Sequence, residues 1–152
     1  MRDYYFSYQT KRSIDTWETA LYEAASDALH RKVMSAIYLK DIVDAVLESK
    51  TVFVMNDHVV LFHARPSEHV RKEFIAYMHV KNGVGYFDKT LHHVFVFGAR
   101  DEALHIVLLK TLTRFVMEAS TDDKLYRQDR MRSALKQSLK SHFGGMPNDE
   151  PT

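Results

Sequence analysis

Cysteine is missing from all 152 residues, so disulfides, thiolate catalysis and cysteine metal ligands are excluded together, and the composition fits a reducing compartment. Excess charge is missing too. Lys and Arg total 21 against 20 Asp and Glu, and a formal charge of +1 provides no field to draw in nucleic acid or an anionic membrane. No apolar run reaches membrane-spanning length, and Met1-Arg2-Asp3-Tyr4-Tyr5-Phe6-Ser7-Tyr8 has no apolar h-region. A soluble, cytoplasmic protein is expected, with no nucleic-acid partner and no direct membrane insertion. Internal repeats and low-complexity segments are also lacking, as are a His-Glu-x-x-His zinc motif and the Gly-Lys-Ser/Thr that would turn Gly83 and Gly85 into a phosphate loop.

What is present is a chain with 45% hydrophobic residues, enough for one domain with a proper core. Residues 1–14 are aromatic, polar and aperiodic, and are set apart as an N-terminal arm, with a short edge strand as the alternative. Asp15-Thr16-Trp17-Glu18 has capping-box spacing with Asp15 as the cap, and Trp17, Leu21, Ala24, Ala25, Ala28 and Leu29 recur on one helical face. Ser35 is placed to cap a second helix in which Leu39, Ile42, Val43, Val46 and Leu47 share a face. The period then changes. Residues 51–55, a turn at Asn56-Asp57 and the run Val59 to Phe62 read as paired strands. Phe74 to Val80 reads as another strand, turning at Asn82-Gly83 into a short return strand at Gly85 to Phe87. Val94 to Phe97 is apolar throughout and closed by Gly98, which marks a central strand buried on both faces. A strong helix starts at Asp101 or Glu102. A last helix over about residues 122–140 carries basic residues spread round its surface, interrupted by Asp122, Asp123 and Asp129, which describes a solvated helix rather than a nucleic-acid footprint. Residues 142–152 read as a disordered tail. The expected fold is α/β: a small mixed sheet with helices on both faces, occupying residues 15–141.

Two histidines occupy positions suited to chemistry. His63 ends the strand Val59-Val60-Leu61-Phe62, and Ala64-Arg65-Pro66 must then leave the sheet because proline cannot continue the ladder. His105 lies in the first turn of the helix after the central strand. In an open α/β sheet, strand tips and following helix starts face one crevice, so the pair can meet across 42 residues of sequence. A helix start also offers N–H groups and partial positive charge to a phosphoryl group. One imidazole as nucleophile and another as donor suits phosphoryl transfer without metal or cofactor. The plain alternative for each is a half-buried structural histidine. Of the nine histidines, His58 and His69 flank the motif and either line the crevice or sit in surface loops. His92 and His93, as strand neighbours, point to opposite faces and cannot share a ligand. A histidine-based metal protein is therefore a third and weaker reading. The cluster Tyr4, Tyr5, Phe6 and Tyr8 either joins the core or makes a contact in a homodimer.

The order of these features resembles the IIA domain of the sugar phosphotransferase system (PTS), in its fructose/mannitol superfamily and with leanings to the ascorbate/galactitol-like branch. The resemblance spans roughly residues 14–140. It is carried by the helix opening Asp15-Thr-Trp-Glu-Thr-Ala, the helix ending Ala45-Val-Leu-Glu48, the block ending His63-Ala-Arg-Pro66 with Val70 and Lys72 following, the strand Val94 to Gly98, and Ala103-Leu-His-Ile-Val-Leu-Leu109. It implies that His63 takes a phosphoryl group from the histidine carrier protein HPr and passes it to a IIB domain of a sugar permease. His105 would contact that group as the second active-site histidine. Arg65 is the expected electrostatic helper, and no metal or other cofactor is implied. Two positions depart from the pattern: Phe62 stands where proline usually precedes the histidine, so the approach to the site is expected to gain an aromatic ring, and Leu47 stands where the mannitol branch has arginine. These departures favour an alternative reading, a diverged IIA-like regulatory interaction module with little or no phosphotransfer.

Overall fold

Among the described residues, five strands form one sheet in the order β1-β4-β5-β3-β2, comprising β1 (Tyr5–Lys11), β2 (Val54–Met55), β3 (Val59–Phe62), β4 (Phe74–Tyr86) and β5 (Lys89–Gly98). The computed structural model describes residues 3–49 and 53–144. The central strand β5 is parallel to β3 and antiparallel to β4, while β1 runs parallel to β4 and β2 antiparallel to β3. Alternation along the strands divides the interior in two. Val60, Phe62, Val94 and Val96 face α1 (Trp17–Ala24), α2 (Ser26–His30) and α3 (Ala36–Ser49). Leu61, Phe95 and Phe97 face α4 (Glu102–Ala119) and α5 (Gln128–Leu139). A strand fully buried on both faces reads as an unbroken apolar run, which is why Val94 to Phe97 marks the centre of the sheet.

Several boundaries differ from the sequence reading. The stretch set apart as an arm supplies the edge strand β1, and Tyr4, Tyr5 and Phe6 are buried in the two cores. The first helix is capped one residue later than its box suggests: Thr16, not Asp15, accepts the Thr19 N–H at 3.1 Å, and the helix breaks at Ala25. Asn82-Gly83 does not turn the chain. The antiparallel register of β4 with β5 shifts between His79 and Val84, Gly83 takes φ +78° there, and the hairpin turns at Phe87-Asp88 instead. Leu47 is 57% exposed, off the buried stripe of α3 formed by Tyr38, Leu39, Ile42 and Val46. The last helix is interrupted at Arg127, whose extended backbone separates a 3-10 turn at Asp123–Tyr126 from α5. Phe143 lies inside the expected tail but packs edge-on against Tyr4 at 5.1 Å. Residues 145–152 of that tail, and 51–52 of the strand expected over 51–55, lie outside the described residues.

One buried charge braces the end of the sheet. Glu73, fully buried just before β4, accepts from the Arg100 backbone N–H at 2.9 Å and from its guanidinium at 3.1 and 2.9 Å. The next residue, Asp101, caps α4 by accepting the Leu104 N–H at 2.9 Å. The brace therefore fixes where α4 starts, and with it His105.

Candidate active site

At the ends of the parallel pair β3 and β5 a crevice of about 480 Å³ opens, lined among others by Phe53, His63, Ala64, Arg65, Glu102 and His105. The rings of His63 and His105 are 5.3 Å apart, so the two histidines singled out from the sequence are brought together. His63 is held on three sides. Phe97 stacks on it at 4.8 Å, Phe53 meets it edge-on at 4.8 Å, and Nδ1 is 2.8 Å from the Leu61 carbonyl oxygen. The backbone of Leu61 faces the β2 side, where its N–H donates to the Phe53 carbonyl oxygen at 2.8 Å, one step beyond the last registered pair Val54↔Val60. The Leu61 oxygen can only accept, so Nδ1 carries the proton and Nε2 keeps its lone pair.

Burial pulls the His63 pKa down to about 4, the bond to Leu61 opposes this, and repulsion from His105 adds to it. The ring is thus neutral at physiological pH. His105 is also depressed, by burial first, with the Glu102 carboxylate pulling the other way. Its Nδ1 is sealed from solvent with no hydrogen-bond partner among the described residues, leaving Nε2 as the nitrogen available for contacts. Arg65 is exposed on the rim and makes no ion pair among the described residues, so its cation is uncommitted. Glu102 brings the opposite charge to the same rim.

The Phe62 ring, expected to crowd the approach, points the other way. It is fully buried on the α1 side, 6.0 Å from Trp17 and 6.0 Å from Tyr86. Neither His58 nor His69 lines the crevice. His58, His92 and His93 instead border a second cavity of about 470 Å³, lined also by Asn56, Ser120, Asp123 and Tyr126. His93 lies between His79, at 5.3 Å, and Tyr126, at 3.7 Å, with Nδ1 2.7 Å from the Tyr77 hydroxyl. Among the described residues no three His, Asp or Glu side chains are placed to hold a metal ion together.

Burial, reinforced by His79, His92 and His58, lowers the His93 pKa to about 3. Because His63 and His93 bind protons more readily unfolded, their stabilising contribution is complete above the ordinary value of 6.5 and is lost as pH falls toward 4 and 3. Urea midpoints should therefore decline steadily between pH 6.5 and 4, each imidazole withdrawing up to about 1.4 kcal/mol per pH unit. A flat midpoint over that window would contradict the assignment of buried neutral rings.

Two residues that serve the site escape sequence reasoning. Tyr38 is fully buried on α3, and its hydroxyl meets the backbone on both sides of the crevice floor, at Ala64 and Phe97. Its only signal is a polar atom within the helix's apolar stripe. Glu73 has no part in the sequence reading, and only its contacts with Arg100 reveal the brace.

No curated protein sequence matches the chain. Several solved structures share its fold. The mannitol-specific cryptic phosphotransferase enzyme IIA CmtB of Escherichia coli superposes with a TM-score of 0.73 at 18% identity, over 85% of this chain and 91% of that one. Enzyme IIA of the mannitol system of Escherichia coli, in its complex with phosphorylated enzyme IIB, gives a TM-score of 0.66 at 17% identity, over 85% and 92%. The nitrogen regulatory protein IIA-Ntr of Neisseria meningitidis gives 0.65 at 15% identity, also over 85% and 92%. The family model for the phosphoenolpyruvate-dependent sugar phosphotransferase system, EIIA 2, matches residues 7–139. With nearly the whole sheet and both helical layers inside that match, the chain belongs to the EIIA 2 family of the sugar phosphotransferase system.

Proposed function

We propose that the protein is a phosphocarrier that accepts a phosphoryl group on His63 Nε2 from phosphorylated HPr and passes it to a IIB domain. The observation that carries this reading is the His63 imidazole itself, neutral, with Nδ1–H tied to Leu61 and a second imidazole 5.3 Å away. The Nε2 lone pair attacks phosphorus in line as the bond from phosphorus to the donor's imidazole nitrogen breaks. A protonated phosphohistidine donor leaves as a neutral ring, and His63 becomes the phosphoimidazolium. Its Nδ1–H still points at Leu61, now as a stronger, charge-assisted bond. His105 Nε2–H, Arg65 and the N–H groups at the start of α4 face the phosphoryl oxygens and offset their charge. Transfer to the IIB domain reverses the same steps. The likeness to an enzyme IIA that is found with a phosphorylated IIB supports the choice of partner.

The regulatory alternative draws on exposed Leu47, which supplies no cation from α3, and on the likeness to a nitrogen regulatory IIA. Intact mass after incubation with phosphoenolpyruvate, enzyme I and HPr separates the two. Rapid gain of one acid-labile phosphoryl group supports the carrier, and no gain beside an active control IIA overturns it. The rate should also hold level from pH 8 to about 5 and fall only as pH approaches the His63 value of about 4. An apparent pKa near 6.5 on the acceptor would mean that His63 is not held neutral by burial.

A further inference from the structure

The strands that carry the crevice stop pairing where the crevice begins, and a side chain from α3 stands in the gap. The last registered pair between β3 and β5 is Phe62↔Val96. Leu61 gives its N–H to Phe53 on the β2 side, so alternation turns the N–H groups of Phe62 and Ala64 toward β5. Continued parallel pairing would therefore join the Ala64 N–H to the Phe97 carbonyl oxygen. Instead Ala64 N–H donates to the Tyr38 hydroxyl at 3.1 Å, and that hydroxyl donates to the Phe97 oxygen at 2.8 Å. Two hydrogen bonds in series stand where the ladder would place one, and the hydroxyl also lies 3.3 Å from the Ala64 carbonyl oxygen.

Room for the phenol comes from Gly98. A Cβ there would lie 3.0 Å from two Tyr38 ring carbons and 2.7 Å from the Phe74 ring. Both residues bridged by the hydroxyl govern the nucleophile. Ala64 follows His63 directly, and the Phe97 ring stacks on His63 at 4.8 Å and reaches His105 at 5.6 Å.

We propose that Tyr38 is a positioning residue for phosphoryl transfer, a hydroxyl wedge that interrupts the β3–β5 ladder after His63 and sets the spacing of the strand tips between which the imidazole is held. The kinetic part of this inference rests on the phosphocarrier reading. Without the oxygen, the Ala64 N–H and the Phe97 carbonyl either close into a direct ladder bond or remain unpaired. In both cases the His63 ring shifts against Phe97 and loses its alignment with Leu61.

The test is Tyr38→Phe in the full chain, with circular dichroism as the check on folding. Under saturating HPr donor the phosphorylation rate is expected to fall at least about tenfold with the donor KM within about twofold, because the surface a partner docks on is unchanged. Independently, 15N spectra of the unphosphorylated protein should show one neutral His63 tautomer, protonated at Nδ1, in the wild type and a mixture in the variant. The Ala64 amide should shift as well. An unchanged His63 tautomer and Ala64 amide in folded Tyr38→Phe overturns the wedge. If the wild type takes up no phosphoryl group, the carrier reading fails while the spectra still decide the role of Tyr38. If the variant does not fold, hydrogen exchange at Ala64 in the wild type decides. Protection like that of Phe62 supports the wedge, and exchange as fast as at exposed Arg65 overturns it.

Discussion

His63→Ala should take up no phosphoryl group under conditions that phosphorylate the wild type completely, and His105→Ala should remain competent but roughly 10²–10³-fold slower. The difference follows from what each imidazole does. In the proposed mechanism His63 supplies the atom that bonds to phosphorus; of the other side chains that line the crevice, His105 is assigned the donor role, Arg65 is a cation and Glu102 is a carboxylate on the rim. His105 is proposed to contribute a donor to charge that builds on the phosphoryl oxygens, and such a donor is worth a few kcal/mol of barrier rather than the reaction itself. His63→Ala should fold, because the ring sits at a strand tip where the ladder with β5 has already ended. Intact mass at several time points reads both variants. Slow labelling of His63→Ala at a second residue would show that the nucleophile lies elsewhere, and wild-type rates in His105→Ala would remove that residue from the mechanism.

Arg100→Ala should destabilise the protein by about 2–3 kcal/mol, a fall of roughly 5–10 °C in Tm for a chain of this size. The origin is the carboxylate left behind, since Glu73 has no exposure of its own and Arg100 supplies two of its hydrogen bonds from the guanidinium. Burial alone would raise the Glu73 pKa, yet the Arg100 side chain and N–H hold it below the ordinary carboxylate value. That contribution is full above the unfolded value of 4.5 and disappears as pH drops through the lower folded one. The loss in Arg100→Ala should therefore shrink in acid. A double replacement, Glu73→Met with Arg100→Met, should recover much of the stability at neutral pH, because it removes the buried charge together with its partner. If the double variant is less stable than either single one, direct attraction rather than an unpaired charge is the cause. Denaturant titration of Arg100→Ala, the two single Met variants and the double variant settles which holds.

The features legible in the sequence share one property: they repeat, or they combine a motif with a boundary. Val94 to Phe97 is apolar in unbroken order, and Asp101 stands three residues before the N–H it caps, so the central strand and the start of α4 could be placed with His63 and His105 beside them. Features that depend on one long-range contact left no such trace. Asn82-Gly83 carries the chemistry of a tight turn and is used in a strand irregularity, while the real hairpin places Phe87 at φ +55°, a conformation its side chain does not favour. β1 lacks a long apolar alternation because only its first residues are fully buried, and Lys11 is exposed at its far end. Phe62 and Leu47, the two departures from the family pattern, looked alike as single letters. In space one faces the α1 core and the other faces solvent, so neither enters the crevice.

The parallel pairing of β1 with β4 has a consequence for how the chain reaches this state. Tyr5 leaves the ribosome about 70 residues ahead of Phe74, its partner in the register, so β1 has to wait for β4 before it can pair. Until β4 emerges, Tyr4, Tyr5 and Phe6 have no sheet to enter, and their rings stay exposed in a nascent chain. β4 and β5, by contrast, form a hairpin with a two-residue connection and can nucleate locally. The order of assembly then runs outward from β4–β5, with β3 joining one side and β1 closing the other. Nascent chains halted before residue 74 should accordingly be the species most prone to capture by chaperones.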